Sequence, residues 1–139
     1  MSKIGDYVKK PPIAVGEEAT IKDVVSLMAQ NNIGLVAIVD KSNKPIGVVS
    51  ERDIIKALAR GAKLEDKALD IATRGNLLAA KRGDDIYTVL KAMRERGIRH
   101  VLVLNDDGTL GGVVSIRDLV EDRALKTIGD KVWWPKPEE

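Results

Sequence analysis

The sequence contains no cysteine and no phenylalanine, and its only histidine is His100. Without cysteine, disulfides, thiolate catalysis and cysteine-ligated metals are excluded, and one histidine makes a histidine-based metal site unexpected within one chain. The same shortage leaves no evident pair of nucleophile and base. We therefore expect no enzyme activity, no metal site and no resident cofactor.

Long apolar runs are also missing. No stretch approaches the roughly 18 apolar residues that a membrane span needs, and the N-terminal residues lack the pattern of a signal peptide. These two absences favour a cytoplasmic protein with no membrane partner. Lys and Arg total 23 against 21 Asp and Glu, and this net charge of +2 is too small to predict nucleic-acid binding by charge alone.

A duplicated pattern organises the 139 residues. A shift of 65 positions aligns residues 21–55 with residues 86–120, and 11 of these 35 pairs are identical. The longest match pairs Gly47–Ser50 with Gly112–Ser115, and each run is followed two residues later by Arg-Asp. Two copies predict a duplicated unit with a pseudo-twofold axis, because a solenoid needs about three or more repeats.

Each copy predicts the same elements, in the order strand–helix–strand–strand–helix. Apolar residues at helical spacing between Ile21 and Met28 predict an amphipathic helix, and Leu35–Val39 reads as a strand buried on both faces. The serine of each Gly-Val-Val-Ser run and the aspartate three residues later form a capping box, which predicts a helix beginning there. Short extended pieces at residues 13–15 and 77–80 precede the first helix of each copy. One copy alone is marginal in size, so the expected fold is α/β (α+β): two β-α-β-β-α repeats packed sheet to sheet as one compact module.

The runs at residues 47–53 and 112–118 resemble the Gly-hydrophobic-x-Ser/Thr-x-x-Asp signature of cystathionine-β-synthase (CBS) domains. The stretch Gly97–Leu104 is similar to the first-strand motif of the same family. This resemblance covers about residues 4–128 and occurs twice, in register and in the right order of elements. It implies a tandem CBS pair, often called a Bateman module, here as a stand-alone protein.

The resemblance implies further properties. Such pairs usually associate as disc-shaped homodimers, and they bind AMP, ADP, ATP, S-adenosylmethionine or NAD in clefts between the paired sheets. The expected boundaries are residues 4–64 for the first repeat, residues 65–128 for the second and residues 129–139 for a C-terminal tail. In that tail, Trp133 and Trp134 are expected to pack against a partner subunit, because two tryptophans left in water would be costly.

The resemblance also implies which residues bind the ligand. The aspartates would hold the ribose hydroxyls, the serines the ribose or phosphate, and the arginines the phosphate, beside helix N–H groups that favour an anion. Gly47 and Gly112 would let the ligand approach the backbone. The expected ribose and phosphate ligands are Ser115, Arg117, Asp118, Ser50, Arg52, Asp53, Arg99 and His100. The expected aliphatic adenine slot is formed by Ile13, Ala14, Val15, Leu78, Ala79, Ala80, Val48 and Val113.

The two sites are expected to differ in strength. Arg99 and His100 stand in the second copy where the family often has basic residues that touch phosphate. The first copy has Gly34 and Leu35 at these positions, and Glu51 adds an acidic group where the second copy has a neutral isoleucine. Two cationic contacts at about 1.5–3 kcal/mol each would separate the affinities by orders of magnitude. We therefore predict one dominant site per chain, using Arg99 and His100. A cleft draws on both copies, so either aspartate could serve it, and Asp118 is the favoured one.

Other interpretations remain open at this point. Ser-x-x-Asp is also a plain capping box, His100 is by default a packed surface histidine, and hairpin chemistry explains the acidic turn Asn105–Gly108 without a metal. The favoured hypothesis is a regulatory module that binds an adenosine nucleotide and signals to an unknown protein. The alternatives are a structural module for dimerisation with empty clefts, and a CBS protein that binds nucleic acid.

Overall fold

The computed structural model describes residues 2–75 and 77–120, the last of these by its backbone alone. The predicted order of elements is present twice. The strands are β1 (Ala14–Val15), β2 (Leu35–Val39), β3 (Pro45–Ser50), β4 (Ala79–Lys81), β5 (His100–Leu104) and β6 (Leu110–Ser115). The helices are α1 (Ile21–Asn31), α2 (Glu51–Ala59), α3 (Ile86–Arg96) and α4 (Ile116–Val120). The predicted mixed fold class is therefore confirmed, whereas the tail with Trp133 and Trp134 lies outside the described residues.

The helices begin and end where the sequence places their caps. Thr20 Oγ1 accepts a hydrogen bond from Asp23 N at 3.1 Å, and Asp23 Oδ2 accepts one from Thr20 N at 2.9 Å, so a reciprocal capping box starts α1. Asn32 ends α1 with a φ of 53°, and Gly97 ends α3 with a φ of 63°. Both residue types tolerate this left-handed conformation, which stops a helix and turns the chain into the next strand.

The strands form two sheets of three, in the orders β1-β2-β3 and β4-β5-β6. In each sheet the first pair is parallel and the second pair is antiparallel. The antiparallel registers are equivalent, because Leu35 pairs with Ser50 and His100 pairs with Ser115. The shift of 65 positions in the sequence is thus reproduced residue for residue in the backbone pairing.

Three apolar clusters hold the module together. One lies between the first sheet and its helices, around Ile21 and Val36, and a second lies between the second sheet and its helices, around Ile86 and Val101. The third joins the two sheets and is centred on Ala37, Leu102 and Leu110. Burying each such aliphatic side chain stabilises the fold by about 1.5–3 kcal/mol, so the sheet-to-sheet cluster binds the repeats into one body. None of the described helices has both the length and the apolar composition needed to cross a bilayer.

Two chain segments that lead into one unit pack on the other unit. The N-terminal residues 2–8 lie on the second unit, where Ile4 N donates to Asp84 O at 2.9 Å and Ile86 N donates to Ser2 O at 3.1 Å. Residues 63–73 lie on the first unit, where Ile21 N donates to Asp66 O at 2.9 Å. The predicted boundaries of the repeats remain a prediction. In the packing, each unit includes the segment that leads into the other one.

This packing corrects the expected role of two glycines. A Cβ added to Gly112 would lie 2.5 Å from Val8 Cγ1, and one added to Gly47 would lie 3.2 Å from Ala72 Cβ and 3.3 Å from Thr73 O. The groups that approach these glycines therefore belong to the protein itself, to the N-terminal residues 2–8 at Gly112 and to residues 63–73 at Gly47. The glycines were expected to admit a ligand, but close chain packing explains them instead.

Candidate functional site

The clearest candidate sites are the two places where a strand runs into a helix. At the first junction, from β3 into α2, Ser50 Oγ accepts from Asp53 N at 3.1 Å and Asp53 Oδ2 accepts from Ser50 N at 2.9 Å. At the second junction, from β6 into α4, the same two bonds join Ser115 and Asp118 at 3.2 and 2.9 Å. All four side chains are half-buried. The capping interpretation of Ser-x-x-Asp is thus confirmed at both junctions.

Capping leaves part of each side chain available. Each aspartate commits Oδ2 to the backbone, and its Oδ1 has no hydrogen-bond partner among the described residues. Each serine accepts through Oγ and keeps its hydroxyl proton for donation. A junction can therefore cap its helix and still offer one carboxylate acceptor and one hydroxyl donor to a ligand.

The second junction gathers additional polar groups. His100 lies directly opposite Ser115 across the antiparallel pair, and Ile116 N donates to Arg99 O at 2.8 Å. The structure therefore brings four of the predicted residues, Arg99, His100, Ser115 and Asp118, to one end of the second sheet. At the first junction the equivalent positions carry no side-chain charge, because they are glycine and leucine.

His100 is half-buried, and this burial is the main reason why its pKa lies below the ordinary 6.5. The carboxylate of Asp118 acts against the shift, the guanidinium of Arg99 adds to it, and the carboxylate of Glu51 acts against it more weakly. A lowered pKa favours the neutral imidazole at pH 7. The second junction thus has one permanent cation, Arg99, and one histidine that can donate or accept, where two cations were expected.

The remaining polar candidates are less well defined by their contacts. Arg52 and Arg117 follow their serines by two positions and are exposed. The structure places both at the junctions but gives neither a hydrogen bond or an ion pair within the described residues. Their predicted contact with phosphate remains a prediction.

The predicted adenine-slot residues divide according to strand alternation. Ala14, Val48 and Val113 belong to the cluster between the two sheets. They lie in two cross-strand rows, Ala14–Ala37–Val48 in the first sheet and Ala79–Leu102–Val113 in the second. Of the remaining five candidates, Ala79 is exposed, and Ile13 is half-buried just before β1.

Three residues of the slot prediction face the helices of their own unit and not the other sheet. Val15 packs against the core of the first unit, and Leu78 and Ala80 pack against or into the core of the second unit. Successive side chains of a strand point to opposite faces, so neighbours of the inter-sheet residues must face the helices. The rows instead include Ala37 and Leu102, which the sequence reading missed although each is the central residue of its strand.

An open depression elsewhere in the described part of the chain does not coincide with either junction. It has a volume of about 380 Å³ and is lined by Lys3, Gly5, Asp6, Arg82 and Gly83. Because β4 is parallel to β5 and Lys81 pairs with Leu104, this depression lies at the end of the sheet opposite His100. Arg82 is held there by Asn105 Oδ1 at 3.0 Å and Gly111 O at 3.3 Å, which indicates a structural role.

Within residues 2–75 and 77–120, no three His, Asp or Glu side chains come together as a metal site would require. In the acidic turn, Asp107 Oδ1 accepts from Thr109 N at 3.0 Å and from Thr109 Oγ1 at 2.6 Å. These bonds lower the pKa of Asp107 and explain the residue by turn chemistry.

Solved structures with this fold include complexes with adenosine compounds. A CBS domain protein of Pyrobaculum aerophilum, PAE2072, complexed with AMP is 35% identical, with a TM-score of 0.83 over 94% of this chain and 99% of that one. The CBS domain pair of protein MJ0100, in complex with 5′-methylthioadenosine and S-adenosyl-L-methionine, is 27% identical, with a TM-score of 0.80 over 94% and 98% of the two chains.

Curated relatives include longer proteins. A 17.7 kDa protein of Acidianus ambivalens is 31% identical over 86% of this chain, which spans 66% of that relative. Other relatives are enzymes, among them inosine-5′-monophosphate dehydrogenases, of which this chain spans only 22%. The model of the CBS domain matches twice, at residues 4–60 and 68–124. The chain therefore belongs to the CBS domain family, and it contains a tandem pair of these domains.

Proposed function

We propose that this CBS pair is a regulatory module that binds one adenosine nucleotide per chain, AMP, ADP or ATP, at the second junction. The observation that carries the proposal is the meeting of Arg99, His100, Ser115 and Asp118 at one end of the second sheet. Similarity to a CBS protein complexed with AMP supports the same ligand class. Enzyme relatives contain this region as a small part of their length, so we propose no catalysis for the pair itself.

Each group at the second junction suits one part of a nucleotide. The free Oδ1 of Asp118 can accept from a ribose hydroxyl while Oδ2 keeps the helix cap. The hydroxyl of Ser115 can donate to a ribose or phosphate oxygen. The guanidinium of Arg99 can donate two charge-assisted bonds to a phosphate, each worth about 1.5–3 kcal/mol. A bound phosphate would also favour protonation of His100, because an adjacent anion raises the pKa of an imidazole.

The adenine ring needs an apolar surface next to these polar groups. Ala14, Val48 and Val113 are half-buried members of the inter-sheet cluster, so part of each remains accessible. The centre of the cluster is filled by Leu102 and Leu110, which are 3% and 2% exposed. We therefore propose that the base lies at the margin of the sheet-to-sheet contact and not at its middle.

The regulatory part of the proposal requires a partner, and a homodimer is the first candidate. On α2, Ile55 is 68% exposed and Leu58 is 43% exposed, three positions apart on one face. CBS pairs usually associate as homodimers, so we propose a second copy of the chain as the group that covers this face. Binding of the nucleotide would then change the dimer, and a further protein would respond to that change.

Thermal melts with AMP, ADP, ATP, S-adenosylmethionine and NAD test the ligand. A ligand at 100 times its Kd should stabilise the folded chain by about 2.7 kcal/mol. Selective stabilisation by an adenine nucleotide supports the proposal. A flat response to all five compounds contradicts it and favours a structural module, while stabilisation by single-stranded RNA that weakens steeply with salt favours nucleic-acid binding.

A further inference from the structure

The first residue of the helix differs between the two junctions, and this difference changes what each can bind. Glu51 begins α2, and the equivalent residue of α4 is Ile116. The Glu51 carboxylate lies over Gly34, with Oε1 3.2 Å and Cδ 3.4 Å from the position that a Cβ would take. The position equivalent to Gly34 in the second unit is Arg99. A carboxylate therefore stands in the first unit close to where the second unit has the base of a cationic side chain.

The Glu51 charge is not neutralised by the described residues. Within the described residues, ion pairs join Lys67 to Glu18 and Lys91 to Glu95, and neither pair involves Glu51. Its negative charge also acts on His100 in the other repeat, where it weakly offsets the lowering of the pKa that burial causes.

Ile116 has no such effect at the second junction. Its side chain is half-buried and packs against the core of the second unit. Two junctions with the same serine–aspartate capping box therefore differ in charge: one carries an unpaired carboxylate, and the other carries a guanidinium and a histidine. A phosphate with about 1.5–2 negative charges at pH 7 would be repelled at the first and attracted at the second.

We propose that Glu51 closes the first junction to phosphorylated ligands, leaving it open only to adenosine compounds without negative charge on the 5′ substituent. This inference rests on the proposed function, because it assumes that the junctions are ligand sites. It adds a specificity-determining residue to them. The first site is then selective, and not merely a weak copy of the second.

An acidic residue in the first turn of a helix is also a common stabilising feature, because it complements the helix dipole. That structural role alone predicts that removing the charge lowers stability slightly and leaves nucleotide binding unchanged. The two roles are separable because Glu51 is exposed and Glu51→Gln keeps its shape. Glu65→Gln is a matched control, because Glu65 is another exposed carboxylate and lies in the connection after α2.

The test is calorimetric titration of the full chain with AMP and with 5′-methylthioadenosine, which has no phosphate. For the original chain and for Glu65→Gln, we expect one AMP per chain. For Glu51→Gln, we expect a second AMP to bind at the first junction. Its affinity there should be about tenfold or more higher than in the original chain, since removing one repulsion of about 1.4 kcal/mol has this effect. Binding of 5′-methylthioadenosine should change less than about twofold, because an uncharged substituent gains little Coulomb energy.

The failures are distinguishable. If the original chain binds one AMP and Glu51→Gln leaves both stoichiometry and affinity unchanged, the role of Glu51 is wrong while the proposed function stands. An equal gain for AMP and 5′-methylthioadenosine also overturns it, because the effect would then be steric. If the original chain binds neither compound and is not stabilised by ADP or ATP, the proposed function falls and this inference falls with it.

Discussion

The two repeats have the same backbone and different chemistry. Their strand registers match at a shift of 65 positions, and both junctions have the same capping bonds within about 0.1 Å. The ionisable groups around those bonds differ, with Glu51 at the first junction and Arg99 with His100 at the second. Capping and packing maintain the fold of both copies, so the side chains that surround the caps are free to diverge in binding.

Replacing the two aspartates should give the largest difference in AMP affinity between the junctions. We expect Asp118→Ala to weaken AMP binding about 100-fold, because it removes a charged acceptor of ribose hydroxyls. Asp53→Ala removes the same capping bond from the other helix and should weaken binding less than about twofold. Titration calorimetry measures both, and melts should show similar structural costs. Equal losses of affinity in the two variants would contradict a dominant second site.

The second expected effect concerns the permanent cation. Arg99→Ala should weaken AMP binding about tenfold to hundredfold and make it less sensitive to salt, because one charge-assisted contact with phosphate is lost. Binding of 5′-methylthioadenosine should change little. Arg94→Ala is the control, since Arg94 is an exposed arginine on α3 that is not among the predicted ligand-binding residues. If Arg99→Ala weakens both ligands equally, its role is not phosphate binding.

The two equivalent glycines, Gly47 and Gly112, should differ in how much their replacement lowers the stability of the fold. Gly112→Ala would place a methyl group 2.5 Å from Val8 Cγ1, on a short and stiff side chain, and should cost about 1 kcal/mol or more. Gly47→Ala meets its nearest atom at 3.2 Å and should cost less. Chemical denaturation at equal protein concentration measures both. A larger loss for Gly47→Ala would contradict the packing of residues 2–8 on the second unit.

The smallest expected effect is a pH dependence of the free energy of unfolding that arises from His100 in the second repeat. The pKa of His100 is lowered in the folded chain, so above pH 6.5 both the folded and unfolded states are neutral and stability is complete. As pH falls below 6.5, the unfolded state takes up the proton first, and the free energy of unfolding decreases through the folded pKa. Denaturation between pH 8 and 5 should show a shallower decline in His100→Gln. An identical decline in both chains would contradict the shift.

Much of the fold was predictable because its signals are local and occur twice. Alternating and helical apolar spacing located the long elements, and Ser50 with Asp53 fixed where α2 begins through a capping box. The pairing of His100 with Ser115 was not predicted and comes from the strand register in the structure. The four candidate residues at the second junction were expected from the family resemblance, and the register explains why they lie together.

The features that the sequence did not predict lie where local signals are too short or depend on distant contacts. β1 has two residues and β4 has three, so no alternation could show that Val15 and Ala80 face the helices. The packing of residues 2–8 on the second unit joins parts of the chain about 80 positions apart, and no local pattern encodes it. The lowered pKa of His100 likewise depends on burial, which only the assembled sheet determines.

The most direct test of the central claim is a crystal structure of the chain with AMP. Unequal charge at two equal folds predicts phosphate density against Arg99 and His100, ribose density at Asp118, and no phosphate beside Glu51. Phosphate density beside Glu51, or equal occupancy of both junctions, would contradict the account.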